Sequence, residues 1–278
     1  MPTAPVPAPA PALPRWPWPP LMVASAALHV AAAGVALGGS PWWALGAVAL
    51  DHAALTAAGL WPRSAWLGPN VTRLPAAAAA RGECALTIDD GPDPEVTPPL
   101  LDRLAELGLR ASFFCIGARA RAQPTLLRRI VAAGHEVQNH SLSHPHHFSL
   151  LGPRGIEREV GDAQALLADL AGVAPLAFRA PAGLRNPLLD PVLHRHGLHL
   201  VSWTRRGYDT RCADPARVLA RLQRDLAGGD ILLLHDGHAR RGADGRPVLL
   251  DVLPPLAQRC AAAGLRTATL AEALPRRG

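Results

Sequence analysis

From Glu83 onward the chain alternates short apolar runs with helical patterns, and this repeat limits the folds open to it more than any other feature. The strand-like runs are 84–88, 111–116, 136–139, 176–179, 198–203, 230–234 and 265–269. Between them, helical periodicity fits 98–107, 124–133, 156–170, 187–196, 215–226 and 248–263. Several of these helical stretches stop at a glycine (Gly108, Gly134, Gly197, Gly264), the residue for which a left-handed cap costs least. Strands separated by helices imply βα units and a parallel sheet. About seven units in one domain predict an α/β fold built as a distorted or incomplete (β/α) barrel. No strand-to-helix turn carries a dinucleotide or P-loop glycine pattern, so a nucleotide-binding sheet is the weaker α/β reading.

The N-terminal part differs in kind. A Pro/Ala-rich tail (1–20) precedes an uncharged apolar stretch, 21–39, and a second, 42–60, interrupted only by Asp51 and His52. Each is about the 20 residues needed to cross a bilayer. Six of the seven tryptophans (Trp16, Trp18, Trp42, Trp43, Trp61, Trp66) flank these stretches, as tryptophans do at membrane interfaces. The expected organisation is therefore a tail (1–20), a transmembrane helical hairpin (21–62), a linker (63–82) and the α/β domain (83–274). A cleaved signal peptide fits the first stretch less well, because its leading region would be long, Pro-rich and nearly uncharged. An acid at mid-membrane needs a partner, so Asp51 and His52 are expected to pair with the other helix or to mark a segment lying on the membrane. Arg15 precedes the hairpin, Arg63, Arg73 and Arg81 follow it, and the turn carries no charge, which puts both termini in the cytoplasm of a bacterial cell membrane.

Composition removes some classes of function. The net charge is +6, but all 28 basic residues are arginine, they are scattered, and the domain has few aromatics. A nucleic-acid binder would cluster them, so no nucleic-acid partner is expected. The four cysteines lie far apart without a CxxC pair, and read as reduced and without a metal role.

The chemistry lies at the ends of the apolar runs, where parallel barrels build their sites. Leu86-Thr87-Ile88-Asp89-Asp90-Gly91-Pro92 presents two adjacent carboxylates that point in different directions, so one can bind metal while the other takes a proton. His140-Ser141-Leu142-Ser143-His144 brings two imidazoles together if the chain turns helically between them. A carboxylate plus two histidines suits a divalent metal, zinc above all, that activates water. Taken singly, acids cap helices and histidines sit at surfaces. Their occurrence together at successive strand ends favours a hydrolytic site.

With Phe178-Arg179-Ala180-Pro181-Ala182-Gly183 and Ile231-Leu232-Leu233-Leu234-His235-Asp236 added, the chain from about 83 to 273 resembles the polysaccharide deacetylase family (NodB-homology domain, carbohydrate esterase family 4). The resemblance implies a metal-dependent hydrolase that removes an acetyl or formyl group from the nitrogen of an amino sugar. It implies Asp89 as catalytic base, Asp90, His140 and His144 as metal ligands, Arg179 as the group that orients Asp89, and His235 as the acid toward the leaving amine. Asp209 would hold His235 in its donating tautomer, and the Ala182 N–H with Leu233 would flank the substrate's oxyanion. Two departures bear on the substrate: Thr210 stands where the family usually has tryptophan and Ala182 where tyrosine is common, which removes surface for stacking on sugars. His146 and His147 lengthen the second motif and read as a solvated loop. Arg185, Arg205 and Arg206 could meet a phosphate if they face one mouth. A cytoplasmic domain would make a lipid-linked or nucleotide-linked amino sugar the natural substrate; an inverted topology would favour peptidoglycan or an exported glycan. The alternative class, a non-catalytic membrane-tethered glycan-binding barrel, should have lost a base, a ligand or an acid, and all are present.

Overall fold

The computed structural model describes residues 16–277. Most of the expected tail, with Arg15, lies outside the described residues. Two antiparallel helices come first, α1 (Pro20–Leu37) and α2 (Pro41–Leu60), each with proline in its first turn, where the missing N–H costs nothing. Both are long and apolar enough to cross a membrane. Protein covers little of their surface: Val30 is 76% exposed, Leu37 90% and Trp42 82%. Polar groups clasp the two helices at mid-length, where the Ser25 hydroxyl donates to Asp51 Oδ2 (2.7 Å) and the Nε2 atoms of His29 and His52 lie 3.3 Å apart. Asp51 is thus paired across the hairpin.

The remainder alternates as expected. In chain order it runs α3 (Ala76–Ala80), β1 (Glu83–Asp89), α4 (Thr97–Glu106), β2 (Ala111–Cys115), α5 (Gly117–Ala122), α6 (Pro124–Ala132), β3 (Glu136–Asn139) and α7 (Pro153–Glu157). A π-helical turn (Arg158–Asp162) leads into α8 (Ala163–Ala171), followed by β4 (Ala177–Phe178), α9 (Leu189–Arg195), β5 (His199–Leu200) and β6 (Arg205–Arg206). The chain ends with α10 (Pro215–Gln223), β7 (Ile231–His235), α11 (Val248–Ala262), β8 (Arg266–Thr267) and α12 (Leu270–Ala273). All pairings between these strands are parallel, in the order β5-β4-β3-β2-β1-β7-β6, with β8 beside the start of β1. The sheet is a curled, incomplete barrel. β1 and β2, in its middle, are buried along their whole length, and so is β7. Leu100 and Leu104 of α4, Leu127 and Ile130 of α6, and Val252 and Leu253 of α11 are fully covered and pack with Leu86, Ile88 and Phe113 from the strands. Each such side chain contributes roughly 1.5–3 kcal/mol by leaving water.

Three differences from the sequence reading have physical causes. β6 consists of two arginines, so no apolar pattern announced it. The helix expected over 156–170 is interrupted by the π-helical turn, which buries Glu159. The stretch expected to be a linker, 63–82, is packed instead. Leu67, Leu74 and Ala78 are buried, Val71 pairs with Val201, and Thr204 Oγ1 donates to the Thr72 carbonyl (2.7 Å). Residues 71–72 therefore fill the seam between β5 and β6, where the barrel would otherwise gape.

Candidate active site

β1 ends in Asp89, and the next residue, Asp90, takes a left-handed conformation (φ 77°) that turns its side chain away from that of Asp89. Gly91 follows because a Cβ there would fall 2.2 Å from Asp236 Oδ2. Asp236 is wholly buried beneath the turn and accepts from the Thr97 hydroxyl (2.5 Å), and burial pushes its carboxyl up to about 7. The two carboxylates thus leave one strand in different directions.

Arg179, just beyond β4, is 1% exposed and fully engaged. Its Nη1 donates to Asp89 Oδ1 (2.5 Å) and Thr87 Oγ1 (2.9 Å), Nη2 to the Ser202 carbonyl (2.8 Å) and Nε to the Val201 carbonyl (3.1 Å). The guanidinium also lies 4.0 Å from the Phe114 ring centre. A buried cation with all three nitrogens hydrogen-bonded fixes one Asp89 oxygen and leaves the other turned toward His140 Nε2, 3.9 Å away.

Asp90 Oδ1 faces two imidazoles: His140 Nε2 at 3.3 Å and His144 Nε2 at 3.4 Å. The segment between the histidines is not helical. Ser141 and His144 are left-handed (φ 67° and 54°), and the loop is pinned by Asn139 Oδ1, which accepts from Ser141 N–H, and by Glu159, which accepts from the Ser143 N–H and hydroxyl. His140 Nδ1–H donates to the Arg179 carbonyl (2.8 Å), so the Nε2 lone pair is directed at Asp90. Burial works against protonation of His140, yet the Asp89 and Asp90 carboxylates outweigh it and raise its pKa. Burial and the neighbouring His140 lower His144 to about 4. Hydrogen bonds from His140 and His238 hold Asp90 well below the ordinary carboxylate range in spite of its burial.

Asp90 Oδ1 and the Nε2 atoms of His140 and His144 converge as three ligand atoms would around a cation. A tetrahedral centre with bonds of about 2.0–2.1 Å places its ligands roughly 3.4 Å apart, which the Asp90–His140 and Asp90–His144 separations match. Asp90, His140 and His144 therefore fit a divalent metal, as one of two such groups among the described residues.

His235 ends β7, beside Asp89 in the strand register. Its Nδ1–H donates to Asp209 Oδ1 (2.9 Å) and its backbone N–H to Asp209 Oδ2 (2.7 Å), with Asp209 fully buried. Burial opposes the charged imidazole, but Asp209 prevails and the pKa is raised. These groups line one pocket of about 190 Å³ together with Ala180, Ala182, Gly183, Trp203, Arg206, Thr210, Leu233 and His238. Ala182 sits at the corner of the Pro181–Gly183 turn with φ 55°.

All nine residues expected at the site thus meet around one cavity: seven line it, and Arg179 and Asp209 stand behind them. Of the three arginines expected at the mouth, only Arg206 lines it. Arg205 is held by Asp230 (3.1 Å) and the Asp225 carbonyl, and Arg185 is buried against the Ser64 and Gly68 carbonyls. His146 and His147 are exposed and line no part of the pocket. Two contributors were given no role in the sequence reading, although Trp203 opens the run to Asp209 counted among the site segments. His238 Nδ1 lies 3.3 Å from Asp90 Oδ2, with Arg119 Nη2 3.1 Å from its Nε2; its nearness to His235 in the His-Asp-Gly-His run was the available signal. Trp203 restores at the rim an aromatic surface that Thr210 and Ala182 lack.

Comparison with known proteins yields consistent relatives. The family profile described as Polysaccharide deacetylase matches residues 77–201. A chitooligosaccharide deacetylase of Sinorhizobium fredii is 39% identical over 153 residues, 55% of this chain and 71% of the relative. A peptidoglycan-N-acetylglucosamine deacetylase of Bacillus cereus is 31% identical over 192 residues, 68% of this chain and 87% of the relative. Among solved structures, a family 4 carbohydrate esterase from Streptomyces lividans in complex with acetate superposes with a TM-score of 0.63 at 34% identity, over 71% of this chain and 97% of that one. A CE4 family pseudoenzyme from Bacillus anthracis (TM-score 0.66, 20% identity, 74% of this chain and 69% of that one) shares the fold alone.

Proposed function

The chain belongs to the polysaccharide deacetylase family, and from that premise we propose that it is a membrane-anchored, zinc-dependent hydrolase that removes an N-acyl group, acetyl or formyl, from an amino sugar. The observation that carries this reading is the facing arrangement in one pocket of an Arg179-anchored Asp89, the Asp90–His140–His144 cluster, and an Asp209-backed His235.

A divalent ion on Asp90, His140 and His144 would supply Lewis-acid polarisation of the acyl carbonyl and of the attacking water. Asp89, with one oxygen held by Arg179, takes the proton of that water through its other oxygen. The Ala182 N–H, carried on the left-handed turn, and Leu233 flank the position of the carbonyl oxygen, where charge builds up in the transition state. His235, kept protonated by Asp209, delivers a proton to the departing nitrogen. The products are a free amine and a short carboxylate. The hairpin α1–α2 would anchor the enzyme in a bacterial cell membrane. The bias of Arg63, Arg73 and Arg81 over an uncharged turn supports a cytoplasmic face for the 83–274 domain.

Acetate and formate release from N-acetylglucosamine oligomers by the full-length protein, with zinc and with chelator, tests this directly. Zinc-dependent acetate release is expected, and Asp89→Asn should lower kcat by about 10²–10⁴-fold while leaving thermal unfolding nearly unchanged. Release that chelator leaves unchanged, or an Asp89→Asn variant of full activity, would sink the proposal.

A further inference from the structure

Resting on the deacylase reading, we propose that the substrate is a lipid-borne amino sugar presented at the membrane surface, with its phosphate received by Arg206. Arg206 lines the site pocket beside Trp203 and Thr210, and it enters none of the ion pairs among the described residues. Its guanidinium is held by aromatic rings, 5.2 Å from the centre of Trp203 and 5.1 Å from that of Tyr208, and its buried Nε has no hydrogen-bond partner. A positioned guanidinium without a counter-ion, at the rim of a pocket whose floor is carboxylate and imidazole, suits a planar or tetrahedral anion on the substrate. Arg205 and Arg185 are already engaged, which leaves this task to Arg206.

The route to that pocket begins at the hairpin. Trp203 and Arg206 also line an adjoining cleft whose other wall is Trp61, Pro62 and Arg63, the residues that directly follow α2. Pro62 packs on the site itself: a Cβ on Gly183 would fall 2.7 Å from Pro62 Cβ and 2.8 Å from the Trp203 ring. The Arg185 N–H donates to the Gly59 carbonyl (3.0 Å) and the Ser202 hydroxyl to the Pro62 carbonyl (2.6 Å). The start of α1 meets the domain too, through Trp16 Nε1 donating to Asp190 Oδ2 (2.7 Å). Both ends of the hairpin therefore rest on the domain, and the exposed Trp18, Trp61 and Trp66 stand in the chain at those ends, where tryptophans suit a bilayer surface. A groove between α2 and the domain, apolar at Leu55, Leu60, Leu150 and Pro187 and polar at its other five residues, gives the lipid's hydrocarbon a place to lie. A sugar joined to a lipid through phosphate would then reach the pocket in the order these features present: hydrocarbon at α2, phosphate at Arg206, acylated nitrogen at Asp89 and the metal ligands.

The test uses the full-length, zinc-loaded protein in phosphatidylethanolamine–phosphatidylglycerol vesicles, with acetate release as readout. The substrates are polyprenyl-phosphate-linked N-acetylglucosamine in the same vesicles, soluble N-acetylglucosamine 1-phosphate, the uridine diphosphate sugar, and chitotetraose. A kcat/KM at least tenfold higher on the polyprenyl-linked sugar than on any soluble one is expected. Arg206→Gln should raise KM for it about tenfold with kcat largely kept, and Arg206→Lys should recover part of the loss. Equal kcat/KM on either soluble phosphorylated sugar overturns the lipid source. Equal kcat/KM on chitotetraose, or an unchanged KM in Arg206→Gln, overturns the phosphate contact. Failure of all four substrates would mean that the deacylase reading itself is wrong.

Discussion

In the proposed mechanism, the pairing of His235 with Asp209 sets which proton the pocket delivers. Asp209 accepts from both the ring and the backbone of His235, so it fixes the tautomer, the orientation and the charge of the imidazole together. A base whose pKa is raised stays protonated to a higher pH and loses its proton as pH rises through the raised value. Activity that needs the protonated form must therefore fall on the alkaline side. Asp209→Asn is expected to move that alkaline limb of kcat/KM to lower pH and to reduce kcat by about 10²–10⁴-fold, measurable as a pH–rate profile. An unshifted limb would show that His235 is not the acid. Asp89, Asp90, His140, His144, Arg179 and His235 were legible because each motif ties a residue type to a strand end. His238 and Trp203 were not, because their approach depends on a left-handed residue at His238 (φ 66°) and on the path of the chain between β5 and β6.

At the scale of elements, alternation of apolar and helical patterns disclosed the parallel sheet, and the misses fall where pattern is silent. Arg205–Arg206 pairs with β7 through its backbone, and Ala76–Ala80 is too short for periodicity to show. The junction of α6, β2 and β3 carries a pH dependence of its own. His135 is buried, its Nδ1 accepts from the Ala111 N–H (3.3 Å), and its ring lies 5.5 Å from that of Phe113. Burial, aided by nearby Arg110, lowers its pKa to about 4. Between the ordinary histidine value and 4 the unfolded chain takes up a proton that the folded chain refuses, so stability is full above about 6.5 and declines as pH falls toward 4. His135→Asn offers an amide oxygen to Ala111 at every pH. Thermal unfolding of the metal-free protein from pH 6.5 to 4.5 should show a shallower decline in this variant than in the parent, and parallel curves would exclude His135 as the cause.

For the molecule as a whole, the least legible part was 63–82, because proline, glycine and scattered arginines resemble a linker whether or not a seam awaits them. The barrel's opening between β5 and β6 exists only in the folded chain, and residues 71–72 fill it. A fragment beginning at Pro75 would lose Val71, Thr72 and the buried Leu67 and Leu74, and should unfold in urea with roughly 3–6 kcal/mol less stability than one beginning at Arg63. Equal stabilities would show the stretch to be dispensable. With Pro62 lodged against Gly183, the pocket and the hairpin are packed as one piece. An enzyme on a slack tether sweeps a hemisphere; with the hairpin in a bilayer, as proposed, this one would be bolted at its own rim and would work at a single height. If, as proposed, the hairpin lies in a bilayer and the substrate is lipid-borne, supply is governed by two-dimensional diffusion, and turnover in a cell should follow the surface density of substrate rather than the total amount present.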